Sequence, residues 1–219
     1  MLRRVLSMLC LTAPLHGGES SLPVTHAVLV HGIWQSEGRC FGSLRRDLDK
    51  RGVICLVPSL KPADGRDGIG TLALQLRKEI DRAFAPDQRF VLIGFSMGGL
   101  VSRVYLQDLG GAGRCDALVT ISTPHHGTEM AKLHYGQGAA EMRPGSVFLA
   151  ELERGQDRLG GMPVVSYRTP FDAVIVPAES SLWERADNGE IRCPLHPLMT
   201  SSRKVRSDIL RRFSFPAEN

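Results

Sequence analysis

The sequence predicts an α/β fold with a mostly parallel sheet of about six strands and helices on both faces. Three observations carry this. Short apolar runs of strand length alternate along the chain with amphipathic stretches at helical spacing. The runs are almost continuously apolar, as strands covered on both faces are. Several of them stop at glycine or proline and are followed by chemistry-bearing residues, at what would be the carboxyl edge of a parallel sheet.

In chain order, residues 24–30 form a nearly continuous apolar run that ends in His31-Gly32. Leu44 and Leu48 share one face of a helical segment closed by Arg51-Gly52. Residues 53–57 are rich in β-branched side chains and stop at Pro58. Ile69, Leu72, Leu76 and Ile80 recur at helical spacing, and Pro86 follows them. Residues 90–93 read as a strand entering Gly94, and Leu100, Val101, Val104 and Leu106 read as a buried helix. Residues 117–121 and 163–167 are further strands, and an amphipathic helix spans about residues 201–213. After residue 22 there is no internal repeat, low-complexity tract or linker, so residues 23–219 are expected to form a single domain.

The chain has 219 residues, long enough to bury a sizeable core without disulfides or a structural metal. Its net charge of +4 sits at the ends: Arg3 and Arg4 in front, and Arg203, Lys204, Arg206, Arg211 and Arg212 behind. Between them the body is neutral to within one charge, so no broad nucleic-acid-binding face is implied. No run of about 18 apolar residues is present, so no ordinary spanning helix is expected. Residues 1–22 stand apart. Arg3-Arg4 ahead of an apolar stretch at 5–13 resembles a short signal segment, but Pro14 spoils the cleavage site after Ala13. Export or membrane attachment through this segment and a docked N-terminal helix both stay open. The five cysteines, Cys10, Cys40, Cys55, Cys115 and Cys193, are scattered with no C-x-x-C pair. That argues against a zinc site or disulfide framework and favours small buried thiols, with pairing among the last four left open.

Chemistry concentrates at three strand ends. The strand at 90–93 runs into Gly94-Phe95-Ser96-Met97-Gly98-Gly99, and a helix follows. This is G-x-S-x-G, in which glycines permit a tight strand-to-helix turn presenting a strained serine, here Ser96. The helix N-terminus adds partial positive charge, which suits a developing oxyanion. A phosphate-binding loop is disfavoured because no G-K-[ST] ending follows. An oxyanion needs two converging donors. The amide of Met97, after the nucleophile, is one candidate; the amide of Ile33, in the loop after His31-Gly32, is the other. His31 itself reads as a structural hydrogen-bonding residue. Trp34 either lines an acyl pocket or caps the core, and Trp34 and Phe95 are the candidate pocket residues.

A serine hydroxyl is a poor nucleophile until a histidine takes its proton, and that histidine is oriented by a carboxylate. Asp172, after the strand at 163–167 and before the apolar 174–176, is the strongest candidate acid. Asp187, in Asp187-Asn188-Gly189, reads as a turn with a solvated carboxylate. Asp116 begins a strand, at the wrong edge of the sheet. The expected chain order of serine, acid, histidine favours His196, in Cys193-Pro194-Leu195-His196-Pro197, over His125, His126 and His134.

With these pieces in place the sequence resembles the α/β-hydrolase superfamily, and more narrowly the small bacterial lipases and esterases related to the GPI inositol-deacylase-like group. The segments that carry the resemblance are residues 28–32, 94–99, 122–128, 144–149, 172–180 and 196–199, in order across about residues 25–213. The resemblance implies carboxylic-ester hydrolysis, with Ser96 as nucleophile, Asp172 as acid, His196 as base, and Ile33 and Met97 as oxyanion donors. Two departures stand out. Only residues 124–162 are available for a cap, with one modest helical stretch near 147–153, so a minimal cap is expected. No acidic cluster supports the calcium site found in some relatives, and neither metal nor cofactor is expected. The expected partner is a small-molecule or lipid ester, with membrane-surface contact left open and a monomer expected. The same triad could serve an acyltransferase, thioesterase or lactonase, and a non-catalytic binding module is the remaining alternative.

Overall fold

The computed structural model describes residues 23–34 and 40–218; the expectations for residues 1–22 lie outside them. The first strand, β1 (His26–Val30), shows how the sheet is covered. Its Val28 and Val30 belong to one core cluster, its Ala27 and Leu29 to another. All four are fully buried. Successive strand side chains point to opposite faces, so a run apolar at every position has two dry faces. The next strands are β2 (Ile54–Leu56), β3 (Phe90–Phe95), β4 (Cys115–Ile121), β5 (Val164–Arg168) and β6 (Asp187–Glu190). They form one sheet in the order β2-β1-β3-β4-β5-β6, and every pairing is parallel.

The helices divide between the faces as the two clusters require. On one face lie α2 (Ile69–Ala83), α3 (Met97–Asp108) and, beyond a short α4 (Gln137–Glu141), α5 (Val147–Arg154). On the other lie α1 (Gly42–Asp49) and α6 (Arg203–Arg212), through Leu44, Leu48, Val205 and Ile209. Helix α2 buries Ile69, Leu72, Leu76 and Ile80, the expected stripe. In α3 every residue except Asp108 is buried, so this helix forms the floor beneath Ser96.

One reading is corrected. Residues 187–190 are not a turn but the edge strand β6, paired from Val165↔Asp187 to Arg168↔Glu190. Their sequence, Asp-Asn-Gly-Glu, has no β-branched or apolar residue, and local propensity gives no sign of a strand. Polar contacts hold it instead. The Asn188 side chain accepts from the Trp183 amide at 3.0 Å and donates to the Trp183 carbonyl at 2.8 Å, and Arg168 pairs with Glu190 at 2.6 Å.

Candidate active site

Ser96 sits between the end of β3 and the start of α3 at φ 55° and ψ −127°. This is a costly backbone conformation for a residue with a Cβ and must be held by its surroundings. Its N–H donates to the Ile121 carbonyl at 2.8 Å; its carbonyl accepts from the Gly99 amide at 3.0 Å and the Thr123 hydroxyl at 3.1 Å. Close packing explains the adjacent glycine. A Cβ on Gly98 would lie 2.3 Å from the Val30 carbonyl oxygen, so only glycine lets the start of α3 dock against the end of β1.

The loop after β1 closes on the same point. A Cβ on Gly32 would fall 2.9 Å from the Ser96 Cβ, which brings the chain leading to Ile33 directly against the serine. Ile33 packs on the core beneath. Among the described residues its amide makes no hydrogen bond, whereas the next one, Trp34, donates to the Ala63 carbonyl at 2.9 Å. Met97 is the first residue of α3, and a first-turn amide has no acceptor within its own helix. The two expected oxyanion donors thus lie on the two segments that meet at Ser96.

His31 is buried and satisfied on both ring nitrogens. Nε2 accepts from the Leu60 amide at 3.1 Å and Nδ1 donates to the Gly32 carbonyl at 2.9 Å. A ring tied to two backbone groups stitches the turn together and has no nitrogen left to move a proton.

Asp172 and His196 come together from separate loops. His196 Nδ1 lies 2.8 Å from Asp172 Oδ2 and 3.0 Å from Oδ1. The carboxylate also accepts the Val174 and Ile175 amides on Oδ1, each at 2.9 Å. Burial pushes the Asp172 carboxyl up, but the His196 hydrogen bond and charge, with those two amides, outweigh it and hold the group below its ordinary value. The contact with Asp172 makes Nδ1 the protonated nitrogen and leaves Nε2 as the basic one. The His196 ring lies 4.7 Å, centroid to centroid, from Phe95, the residue before Ser96. Phe95 itself is buried, so it underlies the imidazole rather than forming open pocket wall.

Sequence neighbours of these residues are apolar and exposed: Trp34 after Ile33, Phe171 and Val174 around Asp172, Leu195 and Leu198 around His196. Trp34 is 65% exposed and meets His134 edge-on at 4.9 Å, so it does not cap the core. A cavity of about 660 Å³ involves none of the site residues; Val24, Arg89, Asp116 and Arg212 line it at the amino edge of the sheet. Asp116 is there, as expected, paired with Arg89 at 2.5 Å, and Asp187 is an exposed partner of Arg212.

One cluster was not legible beforehand. Arg103, in the middle of α3, has a fully buried side chain and stands 4.0 Å from the Trp183 ring centroid. It donates to the Leu152 carbonyl at 3.0 Å, Gln107 Oε1 at 3.0 Å and His125 Nδ1 at 3.2 Å. Its charge partner is Glu153 at 3.4 Å. Burial lowers the guanidinium to about 10. On the far side of the ring, His125 Nε2 faces the Thr120 hydroxyl at 3.1 Å. The available signal was a lone arginine in an otherwise buried-helix pattern, which periodicity alone reads as solvated.

Cys40, Cys55, Cys115 and Cys193 are free thiols. Burial pushes the first three up to about 12, out of the nucleophilic range. Among the described residues, no group of three or more His, Cys, Asp or Glu side chains is arranged to hold a metal ion, and no helix is long and apolar enough to cross a membrane.

A family model described as the alpha/beta hydrolase fold matches residues 68–173. No curated protein matches the sequence. Among solved structures, the chain is similar to a mature lipase of Bacillus licheniformis, with TM-score 0.71 and 14% identity over 93% of this chain and 96% of that one. It is similar to lipase B of Aspergillus fumigatus, with TM-score 0.69 and 17% identity over 89% of this chain but only 54% of that longer one. A pyrethroid hydrolase of Sphingobium faniae matches with TM-score 0.56 and 15% identity, over 86% of this chain and 96% of that one. At such identities the likeness is one of fold. The six-stranded parallel sheet with helices on both faces is the α/β-hydrolase fold.

Proposed function

We propose that this chain hydrolyses carboxylic esters through Ser96, His196 and Asp172, with apolar small-molecule or lipid esters as substrates. The observation that carries the reading is the buried His196–Asp172 pair, whose imidazole packs against Phe95, next in the chain to a serine held at φ 55° between strand and helix. Three further features support it. The segments that carry Ile33 and Met97 meet at Ser96, the chain neighbours of the site residues are apolar and exposed, and the lipase and hydrolase folds just described are similar to this one. The neutral body suits an uncharged ester better than a polyanion. The GPI inositol-deacylase-like grouping is the finer form of the same proposal.

In this mechanism, Ser96 Oγ attacks the ester carbonyl carbon as His196 Nε2 takes the hydroxyl proton. The new imidazolium is stabilised through Nδ1 by Asp172, which stays ionised. The carbonyl electron pair moves onto oxygen, where the Ile33 and Met97 amides receive it, each worth about 3 kcal/mol of barrier. The tetrahedral adduct collapses, the C–O bond to the alcohol breaks, and Nε2–H protonates the departing oxygen. Water then attacks the acyl-serine with its proton going to the same Nε2. The second collapse frees the acid and returns the proton to Ser96. Every step uses groups of the chain and the solvent.

The test is turnover of a p-nitrophenyl ester by Ser96→Ala. Activity should vanish with the circular dichroism spectrum unchanged. Wild-type turnover in this variant contradicts the proposal.

A further inference from the structure

We propose that Thr169 is a positioning residue whose hydroxyl clamps the Asp172 loop to the His196 loop. The inference rests on the triad reading above. Thr169 is the first residue after β5 and is fully buried. Its hydroxyl donates to the Cys193 carbonyl at 2.6 Å and accepts the Cys193 amide at 3.3 Å and, more weakly, the Phe171 amide at 3.4 Å. A hydroxyl has one proton and two lone pairs, so this one is saturated. Phe171 immediately precedes Asp172, and Cys193 lies three residues before His196. A single oxygen therefore satisfies backbone groups of both loops, just upstream of the two side chains that must meet.

Little else joins the loops. Among the described residues, the sheet pairing ends with the Ile191 amide donating to the Arg168 carbonyl at 2.9 Å. Beyond that point the hydrogen bonds crossing from one loop to the other are those of the Thr169 hydroxyl and the His196–Asp172 contact itself. The lever arm is short, because Pro194 fixes its own φ between Cys193 and His196. A displacement at Cys193 is thus passed to the imidazole instead of being absorbed. Threonine suits the task, since its β-branch restricts χ1 and fixes the direction of the hydroxyl. Valine keeps that shape and removes the oxygen.

The experiment measures kcat and KM on p-nitrophenyl butyrate for wild type, Thr169→Val and Thr169→Ser, with rates normalised by active-site titration, and turnover of Ser96→Ala per folded protein. Loosening a catalytic pair by about 1 Å costs up to about 100-fold, so Thr169→Val should lose about 10- to 100-fold in kcat with KM within about threefold. Thr169→Ser restores the hydroxyl and should stay within about threefold on both constants. A loss of stability alone would lower the titrated fraction and leave kcat per titrated site unchanged. Thr169→Val at wild-type kcat, with Ser96→Ala inactive, overturns the clamp and leaves the triad standing. Ser96→Ala at wild-type turnover overturns the triad. If Thr169→Val does not fold, Thr169→Ser decides: retained kcat supports the clamp, and a tenfold or larger loss in a folded Ser variant overturns it.

Discussion

His196 and His125 are the same side chain in two settings. Both are buried, 7% and 2% exposed, and both lie on loops at the carboxyl edge of the sheet. They differ in the sign of the charge that touches Nδ1. His196 meets the Asp172 carboxylate, so Nδ1 carries the proton and Nε2 can accept another. His125 meets the Arg103 guanidinium, which can only donate, so Nδ1 must be the acceptor and the ring must be neutral. Burial, then the Arg103 charge and a smaller effect of His126, lower the His125 pKa well below its ordinary value. The His125 ring is also stacked on Trp183 at 4.7 Å between centroids. The comparison teaches that burial alone does not make a base: a carboxylate at one nitrogen prepares the other for proton transfer, and a guanidinium there makes the ring a structural joint.

Substitutions should separate the two by orders of magnitude. His196→Ala should lower kcat by about 10⁴-fold or more, because Ser96 loses its proton acceptor. His125→Asn, which can still offer an acceptor to Arg103, should keep kcat per folded molecule within about threefold. A catalytic collapse in His125→Asn would reverse the assignment. Asp172→Asn should cost about 10³- to 10⁴-fold in kcat by releasing the His196 tautomer; if Asp187→Asn proved the damaging change, the acid would be misassigned.

On the structural side, Arg103→Met should reduce unfolding free energy by about 3 kcal/mol, since it leaves the Gln107 oxygen and His125 Nδ1 without a donor, while the Leu152 carbonyl keeps only the Gln107 amide. Urea melts would measure this, and unchanged stability would mean the cluster is not a joint.

A smaller effect is one of pH. Below about pH 6.5 an unfolded His125 takes up a proton that the folded ring refuses. Its stabilising contribution is therefore complete above that pH and falls below it, by up to about 1.4 kcal/mol per pH unit, until the folded ring also protonates. Asp172 is held below its ordinary value, so its contribution is present above about pH 4 and is lost only as pH falls through the folded value. Melts between pH 7.5 and 5 should thus show a slope that His125→Asn flattens and Asp172→Asn leaves in place.

What the sequence made legible follows the strength of its local signals. Strands β1, β3 and β4 are apolar on both faces, so their existence and type were legible, with one end of each displaced by two residues from the expected run. Ser96 was legible because a strained turn needs glycine at nearly fixed offsets. Asp172 and His196 rested on chain order and strand ends, and the structure brings those two side chains into contact. Strand β6 was hidden because tertiary hydrogen bonds, not propensity, hold Asp187–Glu190 against β5. The Arg103 cluster was hidden for a related reason. Its partners lie 22 and about 50 positions away, and an isolated arginine declares no burial.

The most direct test of the central claim is covalent trapping. The protein is incubated with a fluorophosphonate ester and its peptides are mapped by mass spectrometry. The account predicts about one adduct per chain, located on Ser96, absent in Ser96→Ala and formed far more slowly in His196→Ala. No adduct on folded wild-type protein, or an adduct on another serine, would contradict it.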